Sequence, residues 1–101
     1  MPQECQRRSV TVSNPQGMHA RPAELFARLA LTFDSEIEVL RDGHRVDAKS
    51  ILNILTLGAV QGTELILEAR GDDASVAVDS LAKLVESGFS SDHLISQEGS
   101  G

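Results

Sequence analysis

The sequence predicts an α+β fold, three helices laid on one face of a small sheet. Four short segments alternate apolar and polar residues with a period of two, and three others carry apolar stripes at helical spacing. They follow one another in the order βαββαβα, and only one pair of strands is joined by a tight hairpin. The chain has 101 residues, the size of one domain. It can bury roughly two-thirds of the surface its unfolded form exposes, so a core is available without disulfides or metal.

Ser9-Val10-Thr11-Val12-Ser13 alternates as a half-buried strand. Residues 1–7 before it read as a flexible segment, and the folded domain as residues 8–89. Asn14-Pro15-Gln16-Gly17 is a loop by its turn chemistry. From Ala20 to Phe33 the positions Leu25, Phe26, Leu29, Ala30 and Phe33 make one helical stripe, from which Leu31 stands apart. Glu36 to Leu40 alternates again with Ile37 and Val39 on one side, and Asp42-Gly43 turns the chain into a short strand through Val46 and Ala48. Ser50 opens a short apolar helix, Ile51 to Leu57, which Gly58 ends. Thr63 to Ala69 is the last alternating strand, with Leu65, Leu67 and Ala69 inward. Asp72 is then a suitable N-cap for a helix whose stripe is Ala74, Ala77, Val78, Leu81, Leu84 and Val85, stopped by Gly88. Ser90 to Gly101 has the composition of a disordered tail.

Charge narrows the possible partners. Nine Lys and Arg against fifteen Asp and Glu give a net charge of −6. Residues 1–50 are balanced, with seven bases and seven acids, so the surplus acid lies in residues 51–101. An acidic chain whose aromatics are Phe26, Phe33 and Phe89 has neither the basic stripe nor the stacking residues that bind nucleic acid. No apolar run is long enough for a membrane span. The single Cys5 excludes an intrachain disulfide and suits a reducing cytoplasm. His44 and His93 lack the spacing of a metal site, and Glu36 and Glu38 read as solvated acids on the outer side of a strand.

One segment concentrates chemistry. Gly17-Met18-His19-Ala20-Arg21-Pro22-Ala23 places a histidine where a loop becomes a helix, with a proline in the first turn, where its missing N–H costs nothing. The free N–H groups there, that of Ala20 included, and the positive helix end favour an anion, so a phosphoryl group on the imidazole would meet donors already in place. Arg21 adds a fixed cation whose fork suits phosphate oxygens, and Gly17 lets the backbone approach closely. Taken alone, His19 also reads as an ordinary polar residue at a helix start.

The whole motif resembles the phosphorylation-site signature of the HPr family, the histidine phosphocarriers of the phosphoenolpyruvate-dependent sugar phosphotransferase system. Lys49-Ser50-Ile51-Leu52, followed by Leu57-Gly58 and Gln61-Gly62-Thr63, is similar to the family's second signature at the expected distance. The resemblance implies an open-faced β-sandwich, a four-stranded antiparallel sheet of order 1-4-2-3 covered on one side by three helices. It implies a cytoplasmic, monomeric carrier without a cofactor, not strictly an enzyme. Such a carrier takes a phosphoryl group from enzyme I on Nδ1 of His19 and passes it to enzyme IIA components. Arg21 matches the arginine that stabilises the phosphate, with Gly17 and Ala20 beside it.

Docking residues follow from geometry and the resemblance together. Arg21 and Arg28 are seven apart on one helical face. Residues 51–57 carry more apolar side chains than one stripe can bury, so some face solvent. The resemblance assigns the patch to Ile51, Leu52 and Leu55, surrounded by Arg21, Arg28 and Lys49. Ser50 has two readings. It is a helix N-cap by position, and it matches the serine that an HPr kinase/phosphorylase modifies in some bacteria, although Asn53 stands where that pattern usually has glycine. Within the family the other reading is a regulatory, nitrogen-type or permease-independent paralogue. The Lys49-Ser50-Ile51 and Gln61-Gly62-Thr63 segments favour the sugar branch. A docking module without phosphorylation would be expected to have lost part of the intact Gly17, His19, Arg21 and Pro22 set.

Overall fold

A computed structural model describes residues 4–89. The tail from Ser90, with His93, lies outside the described residues, as do residues 1–3. Seven elements follow the expected order: β1 (Cys5–Thr11), α1 (Ala20–Leu31), β2 (Glu36–Arg41), β3 (His44–Asp47), α2 (Ile51–Leu55), β4 (Glu64–Arg70) and α3 (Ala74–Glu86). The four strands form one antiparallel sheet of order β1-β4-β2-β3. The three helices cover one of its faces and leave the other open, which is the open-faced sandwich.

The core is what the alternation places between sheet and helices. Val10 and Val12, Ile37 and Val39, Val46, and Leu65, Leu67 and Ala69 point inward from the strands. Against them α1 lays Ala23, Phe26, Ala27 and Ala30, and α3 lays Ala77, Leu81, Ala82 and Val85, all buried. Each fully buried Phe, Leu or Ile is worth about 1.5–3 kcal/mol. The buried face of α1 is centred on its small residues, and Leu25, Leu29 and Phe33 of the expected stripe pack only partly at its edge. Alanine carries too little hydropathy to mark a face, yet it lets the helix sit close to the sheet.

Three local expectations need correction. First, β1 starts at Cys5 rather than Ser9, so residues 5–7 are not a loose segment: Cys5, Gln6 and Arg7 pair with Arg70, Ala69 and Glu68. Its inward positions there are polar, which hid the alternation. Arg8 lies on the helix side and reaches α3, bonding Asp79 at 3.0 Å and Glu86 at 3.5 Å. Second, Glu38 is not simply solvated. On the open face Arg45 bonds both Glu38 and Glu68, Arg7 bonds Glu68 at 3.0 Å, and Arg70 approaches Glu36 and Glu68 at 3.4 Å. Arg45 above all, then Arg7 and Arg70, holds the Glu68 carboxyl below its ordinary range. Third, the N-cap position of α3 is Asp73, not Asp72, and its carboxylate does not cap its own helix.

Asp73 instead clamps the turn between α1 and β2. Its carboxylate accepts from the Asp34 N–H at 2.9 Å, from the Ser35 N–H at 3.0 Å and from the buried Ser35 hydroxyl. The approach is close because Gly71 lacks a side chain: a Cβ there would stand 2.6 Å from Ser35 Oγ and 2.8 Å from its Cα. The Ser35 hydroxyl, with the Asp34 N–H next in strength, holds the Asp73 carboxyl below its ordinary value of 3.8. A lowered folded pKa means the carboxylate stabilises the fold above that ordinary value. The contribution is lost as pH falls from there through the lower folded value. Asp73→Asn is therefore expected to be less stable than wild type in urea titrations at pH 7. The gap should narrow below about pH 4 as the wild-type carboxylate protonates.

Candidate functional site

The loop before α1 is held on three sides, and its tip carries His19. Gly17 adopts a φ of +71° and lies against the 59–60 segment, where a Cβ would come within 2.6 Å of the Ala59 carbonyl oxygen and 2.9 Å of Val60 Cα. Only glycine combines that backbone conformation with that approach. The next residue, Met18, is buried and donates its N–H to the same Ala59 oxygen at 2.8 Å. Behind the loop, Val12 and Thr63 bond at 2.9 Å, Gly62 donates to the Val12 carbonyl at 2.8 Å, and Gln61 Nε2 donates to the Ser13 carbonyl at 3.0 Å. The Gln61-Gly62-Thr63 segment, recognised in the sequence only as part of a signature, thus supports the histidine loop from below. Ser13 Oγ reaches the Val85 carbonyl at 3.4 Å and so ties the loop to the end of α3.

His19 occupies the N-cap position of α1 with extended backbone angles and an exposed side chain. Its carbonyl accepts from Ala23 N–H at 2.9 Å, the first bond of the helix, while its imidazole makes no capping bond. The amides of Ala20 and Arg21 find no acceptor among the described residues, and Pro22 has none to offer. Two N–H donors and the positive helix end therefore stand free beside the imidazole. His19, Arg21, Pro22 and Leu25 share a shallow cleft of about 370 Å³ with Asn14 and Phe89.

Arg21 lies in that cleft with its guanidinium 3.2 Å from Glu24, and Glu24 also holds Arg28 at 3.0 Å. Glu24 is a bridge the sequence reading did not assign, although its spacing of three and four from the two arginines is that of helical ion pairs. Exposed pairs of this kind are worth about 0.2–1 kcal/mol, so Arg21 is released toward an anion at little cost. The other expected residues lie on or beside α2. Ser50 caps that helix, accepting from Asn53 N–H and Asn53 Nδ2, each at 3.2 Å. Leu52 is 75% exposed and Ile51 39%, whereas Leu55 packs partly against the core and Ile54 anchors the helix, fully buried. Lys49, expected in the charged surround of the patch, is half-buried just before α2. Its ammonium donates to the Phe33 carbonyl at 2.8 Å, beyond the end of α1, where a cation meets unpaired carbonyls. No group of three or more potential metal-binding side chains occurs among the described residues.

A family profile described as the PTS HPr component phosphorylation site matches residues 6–87. The chain belongs to the HPr family. The Phosphocarrier protein HPr of Buchnera aphidicola subsp. Baizongia pistaciae is 39% identical over 79 residues, 78% of this chain and 93% of that protein. The HPr-like protein Crh of Bacillus subtilis is equally 39% identical, over 79% of this chain and 94% of its own length. Among solved structures, HPr-C-His from Thermoanaerobacter tengcongensis superposes with a TM-score of 0.80 at 43% identity, covering 83% of this chain and 94% of that one. Membership makes the protein a phosphocarrier of the phosphotransferase system rather than an enzyme. No helix among the described residues is long and apolar enough to cross a membrane.

The packing of Gly17 yields a direct test. Gly17→Ala adds a Cβ at a positive φ against backbone atoms that cannot yield. It should cost about 2 kcal/mol or more by chemical denaturation. The amide resonances of Met18, His19 and Ala59 should move together.

Proposed function

We propose that His19 is the phosphoryl acceptor, taking the group from enzyme I and donating it to enzyme IIA components for sugar uptake in the cytoplasm. The observation that carries the reading is the exposed imidazole at the N-cap of α1, beside two unpaired N–H groups and a loosely held arginine. Nδ1 attacks phosphorus with its lone pair, a bond from nitrogen to phosphorus forms, and the bond to the donor breaks. The reverse displacement hands the group to the next protein. Ala20 and Arg21 N–H groups take the oxygens' charge, and the Arg21 guanidinium turns from Glu24 to complete the cradle. The bond between nitrogen and phosphorus is labile, so transfer runs in either direction.

Leu52 and Ile51, with Arg21 and Arg28 on the neighbouring α1, form the surface that meets both partners. Leu55 adds its exposed edge, and Lys49 contributes by fixing the junction between α1 and α2. The sugar branch is favoured by the intact Lys49-Ser50-Ile51 and Gln61-Gly62-Thr63 segments. Ser50 serves as a cap in the unmodified protein. Where an HPr kinase/phosphorylase is present, a phosphate there would place negative charge on the docking surface and oppose an incoming phosphohistidine.

Incubation with phosphoenolpyruvate and enzyme I should give an acid-labile phosphoryl adduct that His19→Ala abolishes. Absence of the adduct on wild type, or its survival in the variant, refutes the assignment. For Ser50, loss of the cap in Ser50→Ala should cost about 1 kcal/mol by urea denaturation while leaving transfer at the wild-type rate. Ser50→Asp should keep much of the cap and slow transfer from enzyme I, read as a rise in KM.

A further inference from the structure

Asn14 is built into the loop more deeply than a turn residue requires. Its carbonyl accepts from Gly17 N–H at 3.0 Å, closing the Asn14-Pro15-Gln16-Gly17 turn, and its side-chain Nδ2 donates to the Gly17 carbonyl at 2.7 Å. That same Gly17 oxygen accepts the His19 N–H at 3.1 Å. One carbonyl therefore receives both the Asn14 amide and the backbone of the histidine. The imidazole makes no capping bond of its own, so its placement beside the free Ala20 and Arg21 amides is set through this backbone path.

The remaining polar atom of Asn14 sharpens the point. Oδ1 is buried without a hydrogen-bond partner, the one side-chain atom in that condition among the described residues. The amide cannot turn over to relieve it, because Oδ1 would then face the Gly17 carbonyl oxygen. A buried acceptor without a protein donor is uncommon in folded chains. Asn14 also lines the cleft that holds His19 and Arg21.

We infer that Asn14 is a positioning residue for phosphoryl transfer: its Nδ2 bond to the Gly17 carbonyl fixes the peptide from which His19 projects. The inference rests on His19 being the phosphoryl acceptor. With Nδ2 on the Gly17 oxygen, the imidazole and the two amides keep one geometry in both the free and the phosphorylated carrier. Without it, the Gly17 carbonyl keeps only the His19 N–H as donor, and the Gly17–Met18 peptide is anchored from one side alone, by the Met18 N–H on Ala59.

The test uses the full chain with Asn14→Ala, which removes the amide, and Asn14→Asp, which keeps its shape but not its donor. Transfer from phosphorylated enzyme I is measured for kcat and KM separately. The spontaneous hydrolysis of the isolated phosphoprotein is followed by 31P NMR, and folding is checked from amide spectra. Both variants should lower kcat about tenfold, the scale of one lost hydrogen bond, with KM unchanged. Both should shift the phosphohistidine resonance and hasten its hydrolysis. The inference is overturned if folded Asn14→Ala matches wild type in kcat and hydrolysis. It is equally overturned if the loss appears only in KM, or if Asn14→Asp alone is impaired, which would mark added charge as the cause. A wild-type protein that takes no label at His19 overturns the phosphocarrier site itself, an outcome read from the control and separate from the variants.

Discussion

Everything the site does depends on the contact between the Gly17–Met18 segment and the Ala59 carbonyl. Without a Cβ at Gly17, and with Met18 N–H bonded to Ala59, the loop before α1 lies flat on the loop before β4. Since β1 and β4 are neighbours in the sheet, both loops leave it at the same end. The sheet order thus decides which segment can support the histidine, and the Gln61-Gly62-Thr63 bonds to Val12 and Ser13 complete that support. A rigid scaffold of strands aims a short irregular segment, and the segment aims His19.

The open face of the sheet solves a different problem. It has no helical layer, and an apolar surface there would invite association. Arg7, Arg45 and Arg70 alternate with Glu36, Glu38 and Glu68 across all four strands, so the middle of the face is polar and its charges are mutually satisfied. The net charge of −6 is therefore not expressed evenly. The centre of the open face is neutralised, while α1 keeps Arg21 and Arg28 at its surface, bridged by Glu24. Exposed apolar side chains at Ile51 and Leu52 adjoin that rim rather than the sheet.

Much of this was readable from residue order. Inward Ile37, Val39, Leu65 and Leu67, the Asp42-Gly43 turn and the Ser50 cap all follow from local rules that tertiary structure did not override. The misses share one cause, a polar side chain whose partner is distant in sequence. Arg8 hides the start of β1 because its partners lie on α3, seventy-one and seventy-eight residues away. Asp73 resembles a cap but bonds Ser35, thirty-eight residues back. Nothing local distinguishes such a residue from a solvated one. At the proposed site, the contiguous motif sets out His19, Arg21 and Pro22 in residue order, whereas the Asn14 side-chain bond to the Gly17 carbonyl depends on how the turn closes.

Pro22 carries a last consequence. A helix start ordinarily presents three or more vacant amides, and here the third residue of α1 has none, which leaves Ala20 and Arg21. A phosphoryl group on His19, as proposed, would have two oxygens met by backbone and a third left to the Arg21 guanidinium or to water. A permanent anion site would gain from a third amide. A relay must surrender its cargo to the next protein, and a grip one donor short lowers the barrier to letting go.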